Sequence, residues 1–187
     1  KFAGRDMPKT VNFTEKGLLQ AVSEATSGLT GHDFLLEIAK RITMNLGMKY
    51  CFIAECANET KTRLRTIVFV EGKNILDNFE YNTNDSGCQM MMNGNTFFMP
   101  EGAQKRFPAA KGIEAYVGAP ITSPTTGEIL GHIAATDPDP VTDEKNQTAV
   151  LKIFADRIGA ELERIRTEKE LISKNAELHY QMKENEF

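Results

Sequence analysis

The chain has no tryptophan, only three histidines and only three cysteines in 187 residues. No apolar run approaches the roughly 18 residues that span a bilayer; the longest is the short stretch YCFIAECA at 50–57. No charged-then-apolar segment of the signal type opens the sequence. Lys and Arg number 22 against 26 Asp and Glu, a net charge of -4 without basic clusters. That removes the electrostatic basis for holding nucleic acid or an anionic membrane surface. HExxH, CxxC, Walker A, GxGxxG and EF-hand patterns are all missing. Cys51, Cys56 and Cys88 are odd in number and lack metal-ligand spacing, which argues for a reducing compartment and a cytoplasmic location. Cys51 and Cys56, five apart on a predicted strand, face opposite sides and do not pair easily.

Catalysis is poorly served by this inventory. A nucleophile needs a base within reach. His32 falls in a turn between predicted helices and His179 in the C-terminal tail, so both are far from Cys88. His132 lies on a predicted strand, where a hydrogen-bonded core histidine is the simpler reading than a catalytic base. The carboxylate run DPDPVTDE at 137–144 is interrupted by two prolines and precedes a helix, so it reads as a solvated loop and cap rather than an ion site. We expect no enzyme activity from this chain and no metal.

What is present suits one core-bearing domain with an extension: 41% hydrophobic and 26% charged residues. The chain begins at Lys1 and stops within a helical pattern at Phe187, and we read it as a piece of a longer polypeptide. Residues 1–12 show no period and form a leader or linker. From Phe13, Leu18, Leu19, Val22 and Ala25 fall on one helical stripe that stops at Gly28. Phe34, Leu35, Ile38, Ile42 and Leu46 mark a second helix, stopped by Gly47.

The pattern then turns to aromatic and β-branched residues. It predicts about six strands: 49–57 paired with 63–72, short strands at 78–82 and 96–100, and a hairpin of 115–121 with 129–136. A helical turn is expected at 103–107. One long helix starts near Thr142 or Asp143. In it Leu151, Ala155, Ile158, Leu162, Ile165, Lys169, Ile172 and Ala176 alternate four and three apart, a heptad seam that later drifts to Leu171, Leu178 and Met182. Packing on the chain's own sheet accounts for 150–158. Past Ile165 the seam needs a partner, which predicts a homodimer through Ile158, Leu162, Ile165 and Ile172.

Between the short strands lies DSGCQMMMNGNTFFMP at 85–100. Phe79 and Tyr81 share one strand face, as do Tyr116, Gly118 and Pro120. Small Gly118 beside large Tyr116 leaves room for a ligand or a close-packed neighbour, and Met90, Met91 and Met92 are adaptable wall-formers. The same residues also suit a filled second minicore.

The segments 18–55, LDNFEYN, GCQMMMNGNTFFMPEGAQKRFP, YVGAPI, GEILGHIAATD and IFADRIGAELERIR occur in an order that resembles bacterial GAF domains over 18–166. The similarity is to those attached to sensor histidine kinases, diguanylate cyclases and sigma-54-dependent activators. The resemblance implies an α+β fold. A central antiparallel sheet would carry helices on one face, with pocket-forming loops and short helices on the other, and a long C-terminal coiled-coil helix would follow. It divides the chain into a sensory domain at 13–160 and a signalling linker at 161–187. That linker would lead to an output domain of two-component or transcription-regulating type.

The implied role is a non-catalytic sensor of an unidentified small molecule, with Phe79, Tyr81, Cys88, Met91, Phe107, Tyr116, Gly118 and His132 around the ligand. Many relatives carry Thr-Pro-Cys where this chain has Ser86-Gly87-Cys88. Bilin carriers need an Asp-Ile-Pro-type segment and a Cys-His pair. Here Gln89 follows Cys88, which argues against covalent bilin. The cofactor, if any, is unknown. Methionine sulfoxide reductases of this type use several pocket cysteines, an arrangement Cys51 and Cys56 do not fit. The Asn-Lys-Phe-Asp-Glu signature of cyclic-nucleotide binders is missing. A redox enzyme built on Cys88 and a ligand-free dimerisation scaffold are the alternative readings.

Overall fold

A computed structural model of the chain describes residues 17, 20, 23, 24, 26–84 and 87–184. Leu18, Leu19, Val22 and Ala25, the stripe of the first predicted helix, lie outside them. The described elements run α1 (Gly31–Leu46), β1 (Tyr50–Cys56), β2 (Arg63–Glu71), β3 (Asn74–Ile75) and β4 (Glu80–Asn82). They continue with α2 (Cys88–Met92), β5 (Phe97–Met99), α3 (Ala103–Arg106), β6 (Ala115–Thr122), β7 (Ile129–Asp137) and α4 (Glu144–Glu184). The strands form one antiparallel sheet in the order β3-β2-β1-β7-β6-β5, and β4 also pairs with β2. The seventh strand, β3, is two residues long, too short to show a period.

Strand alternation decides which layer each residue joins. Cys51 and Ile53 of β1, Ala115, Val117, Ala119 and Ile121 of β6, and Ile133 and Ala135 of β7 point to one face. There they meet Phe34, Leu35, Ile38 and Ile42 of α1 and Leu151, Phe154, Ala155 and Ile158 of α4. Side chains such as Ile38, Phe154 and Ile158 are fully buried, each contributing about 1.5–3 kcal/mol. Helix α4 lies close to β6 because Gly159 has no side chain: a β-carbon there would overlap the Thr122 carbonyl oxygen. Gly47 ends α1 in the left-handed conformation, φ 64°, the geometry that favours glycine at a helix stop.

Two helix ends are tied by side chains. Asp143 opens α4 by accepting the Asn146 N–H on Oδ1. The first N–H of α1, on Gly31, donates to Glu161 Oε1 of α4, which joins the two helices across the layer.

The predicted dimer seam divides here. Ile158 and Leu162 are buried in the intramolecular core, and Ile165 packs partly against it. Ile158 and Leu162 therefore offer no free surface to a second chain. Beyond them the helix stands clear of the sheet, with Leu171, Ile172, Leu178 and Met182 all exposed.

A candidate ligand cleft

The opposite face of the sheet carries the other half of each alternation, and register sorts it into rows. Tyr50, Thr136 and Tyr116 are cross-strand partners on β1, β7 and β6. In the next row, Phe69, Phe52, Ala134, Gly118 and Phe97 follow one another from β2 to β5. A third row sets Ala54, His132 and Pro120 side by side. Large rings thus crowd the β1–β2 side, and the smallest residues lie at the centre.

Helix α2 closes over that centre. Met91 is fully buried, and its thioether fills the place where a Gly118 β-carbon would be. The space predicted beside Tyr116 is therefore taken by a close-packed neighbour from α2. Gly87, just ahead of the helix, is similarly pinned, since a β-carbon on it would press into the Phe97 ring. Ser86 lies outside the described residues.

What remains open is a cleft of about 870 Å³ over the first row and the β1–β2 rings. Tyr50, Phe52, Phe69, Phe79, Tyr81 and Tyr116 line it, with Cys88 and with the loop Ala109–Ile113 as the far wall. Phe52 is the hub: its ring centroid lies 6.1 Å from those of Phe69 and Phe79, and it meets Tyr81 and Tyr116 edge-on at 6.4 and 6.5 Å. Edge-to-face rings at these separations attract beyond their buried area. Phe79 closes the rim and is 42% exposed.

Of the eight residues that the sequence placed around a ligand, Phe79, Tyr81, Cys88 and Tyr116 line this cleft. Met91 and Gly118 plug each other. Phe107 meets Phe97 edge-on at 5.8 Å, with the Arg106 guanidinium over its ring. His132 is buried behind Tyr81. Tyr50, Phe52, Phe69 and Lys111 were not expected there. The alternation of β1 and β2 contains the first three, but only the register shows which face turns away from the helices.

At the inner end of the cleft four polar side chains form a chain. Tyr116 Oη is 3.2 Å from Cys88 Sγ, Cys88 Sγ is 3.8 Å from Tyr81 Oη, and Tyr81 Oη is 2.6 Å from His132 Nε2. Burial, with the neighbouring Cys88, pushes both phenols well above their ordinary range, so each stays protonated and can donate one hydrogen bond. One set of directions then fits: Tyr116 O–H to Cys88 sulfur, Cys88 S–H to Tyr81 oxygen, and Tyr81 O–H to His132 Nε2. It leaves His132 Nδ1 as the N–H, and that atom has no partner among the described residues. The Cys88 thiol, 2% exposed and held between two phenols, forms part of the inner wall of the cleft.

Among the described residues no group of His, Cys, Asp and Glu is arranged to hold a metal, and no helix is long and apolar enough to cross a membrane. Asp137 and Asp143, from the predicted carboxylate loop, accept backbone N–H groups of Lys49, Asp139 and Asn146.

Solved structures share this architecture. The GAF domain of an Acinetobacter phosphoenolpyruvate-protein phosphotransferase superposes with a TM-score of 0.69 at 13% identity, covering 82% of this chain and 95% of its own. Free methionine-R-sulfoxide reductase from Neisseria meningitidis, in complex with its substrate, gives 0.66 at 14% identity, with coverages of 82% and 90%. The phycocyanobilin-bound GAF domain of a cyanobacterial phytochrome gives 0.65 at 12%, with coverages of 84% and 98%. At such identities the likeness is one of fold, and a shared fold does not fix a function. Curated proteins yield no match. The sequence model of the GAF domain matches residues 30–162, the span that holds the sheet, α1, the part of α4 that packs on the sheet and the described walls of the cleft, and the chain belongs to the GAF domain family.

Proposed function

We propose that this chain is a non-catalytic sensory domain that binds a small molecule in the aromatic cleft. It transmits the bound state through a dimeric C-terminal helix to an output domain in the same polypeptide. The observation that carries the reading is the cleft itself: about 870 Å³, open to solvent, walled by six aromatic rings. That size and lining suit a ligand site, and Met91 already fills the space that a simple minicore would need.

The route outward is short. Tyr116 of the cleft belongs to β6, whose other face packs on α4. Beyond Ile165 the helix continues to Glu184, with Ile172 64% and Leu178 56% exposed. We read 161–187 as a linker whose apolar stripe pairs with a second copy. A ligand shifts that pair only by binding one arrangement better than the other, and about 1.4 kcal/mol of difference changes the ratio tenfold. Against catalysis stands the burial of the Cys88 thiol between the Tyr81 and Tyr116 hydroxyls.

Native mass spectrometry, followed by denaturation and a search for released small molecules, tests both parts. A dimer with a stoichiometric extra mass is expected. Ile172→Asp with Leu178→Asp is expected to give a folded monomer; a dimer of unchanged size by light scattering removes the helix interface from the proposal. Leu162→Asp is unsuited to this test because it would place a charge in the core.

A further inference from the structure

We propose that the cleft takes a small planar aromatic anion, of which an aromatic carboxylic acid is the simplest member. Its ring would lie over Phe52, Phe69 and Phe79, with its carboxylate at Lys111. This inference rests on the cleft being the ligand site and adds the ligand's chemical class.

Aromatic walls alone are ambiguous, because ring faces attract cations as well as other rings. The charges decide. Among the described residues two charged side chains line the cleft, Lys49 and Lys111, and no Asp or Glu does. A cationic guest would face these two like charges with no counter-ion from the described wall.

Two carboxylates beside the mouth, Glu71 and Asp137, are engaged elsewhere. Glu71 pairs with Lys49 at 3.3 Å. Asp137 accepts the N–H groups of Lys49 and Asp139. Lys49 is therefore partly neutralised, and its ammonium also sits 5.1 Å over the Tyr50 ring. Lys111 has no ion pair among the described residues and stands exposed on the loop wall.

Lys111 is thus the uncompensated charge of the cleft, across from the rings of β1 and β2. Between them on the floor lies Thr136, 6% exposed, whose hydroxyl makes no hydrogen bond among the described residues. A guest with an aromatic body and one anionic end would meet each of these features: rings, a hydroxyl able to donate, and a free ammonium. Opposite charge at the mouth also favours the acid over a neutral analogue, which makes no ion pair with Lys111.

The test uses the whole chain and three probes with the same ring and similar size: 1-naphthoate, 1-naphthylmethanol and 1-naphthylmethylamine, followed by calorimetric titration and by thermal unfolding. Naphthoate is expected to bind at least tenfold more tightly than the alcohol, and the amine more weakly than either. Lys111→Glu should abolish the preference for the acid over the alcohol, whereas Lys111→Arg should retain it. Equal binding of acid and alcohol, or an acid preference unchanged in Lys111→Glu, overturns the anionic class while leaving the cleft as a ligand site. If none of the probes binds at millimolar concentration and the denatured protein releases no small molecule, the ligand-site reading itself falls. A released natural ligand that is cationic or lacks a ring overturns this inference alone.

Discussion

The thioether of Met91 occupies the volume that a β-carbon on Gly118 would need. A helix of five residues, α2, is thereby keyed into the middle of the sheet, and the cleft beside it keeps its shape because the key is fully buried. Two residues on different elements fix one boundary of the candidate site.

The Met91–Gly118 fit gives a double-mutant test. Gly118→Ala should cost about 1–3 kcal/mol, the usual range for overpacking, and Met91→Ala about 2–5 kcal/mol for the hole it leaves. In the Met91→Ala background the added methyl enters vacated space, so Gly118→Ala should cost at least about 0.5 kcal/mol less than it does alone. Urea denaturation of the four proteins measures this. An unchanged cost in both backgrounds would show that the two groups do not compete for space.

Glu161 supplies a pH-dependent link between α1 and α4. Its carboxylate accepts two hydrogen bonds from Arg164, and Oε1 also accepts the Gly31 N–H. The Arg164 hydrogen bonds are the main cause that holds its pKa below the ordinary value; burial, next in size, opposes them, and the Gly31 N–H adds a lesser lowering. A folded pKa below the unfolded one, which is about 4.3 for Glu, means that stability is fully present above the unfolded value. It is lost as pH falls through the folded value. Glu161→Gln should therefore cost about 0.5–1.5 kcal/mol at pH 7, less at high salt because the Arg164 side is exposed. The gap to the wild type should close below pH 4. A gap that stays constant from pH 7 to pH 2.5 would mean that the carboxylate charge contributes nothing to the link.

Much of this arrangement is legible in the sequence because periodicity is a local property. The alternation of Ala115, Val117, Ala119 and Ile121 separates the two faces of β6, and the 3.6 period of Phe34, Leu35, Ile38 and Ile42 gives the inner stripe of α1. The long helix is where the same reasoning reaches its limit. A helix lying on a sheet and a helix in a coiled coil both place apolar residues four and three apart. Spacing alone thus assigned Ile158 and Leu162 to a partner, whereas they bury against β6. The cleft is half legible for a related reason. Tyr81, Cys88 and Tyr116 stand out in the sequence, but the identity of what fills the hollow at Gly118 depends on how α2 docks. Lys111 belongs to a turn with no motif and enters the site only through the fold.

The three cysteines should separate by burial. Cys51 is fully enclosed in the core between sheet and helices, where burial pushes its thiol far up. Cys88 is 2% exposed and bonded between phenols. Cys56 is only half-buried, at the end of β1 near Lys61 and Arg166. Its thiol is raised by burial, with those two cations pulling in the opposite direction. Since the thiolate is the reactive form, brief treatment of the native protein with iodoacetamide at pH 8 should modify Cys56 alone, and slowly compared with a free thiol. Cys88 should join it only in urea concentrations that open α2, and Cys51 only on global unfolding. Peptide mass spectrometry across a urea series resolves the order. Rapid labelling of Cys88 in the native state would mean that the wall of the cleft is open, and would restore the redox alternative that its burial now argues against.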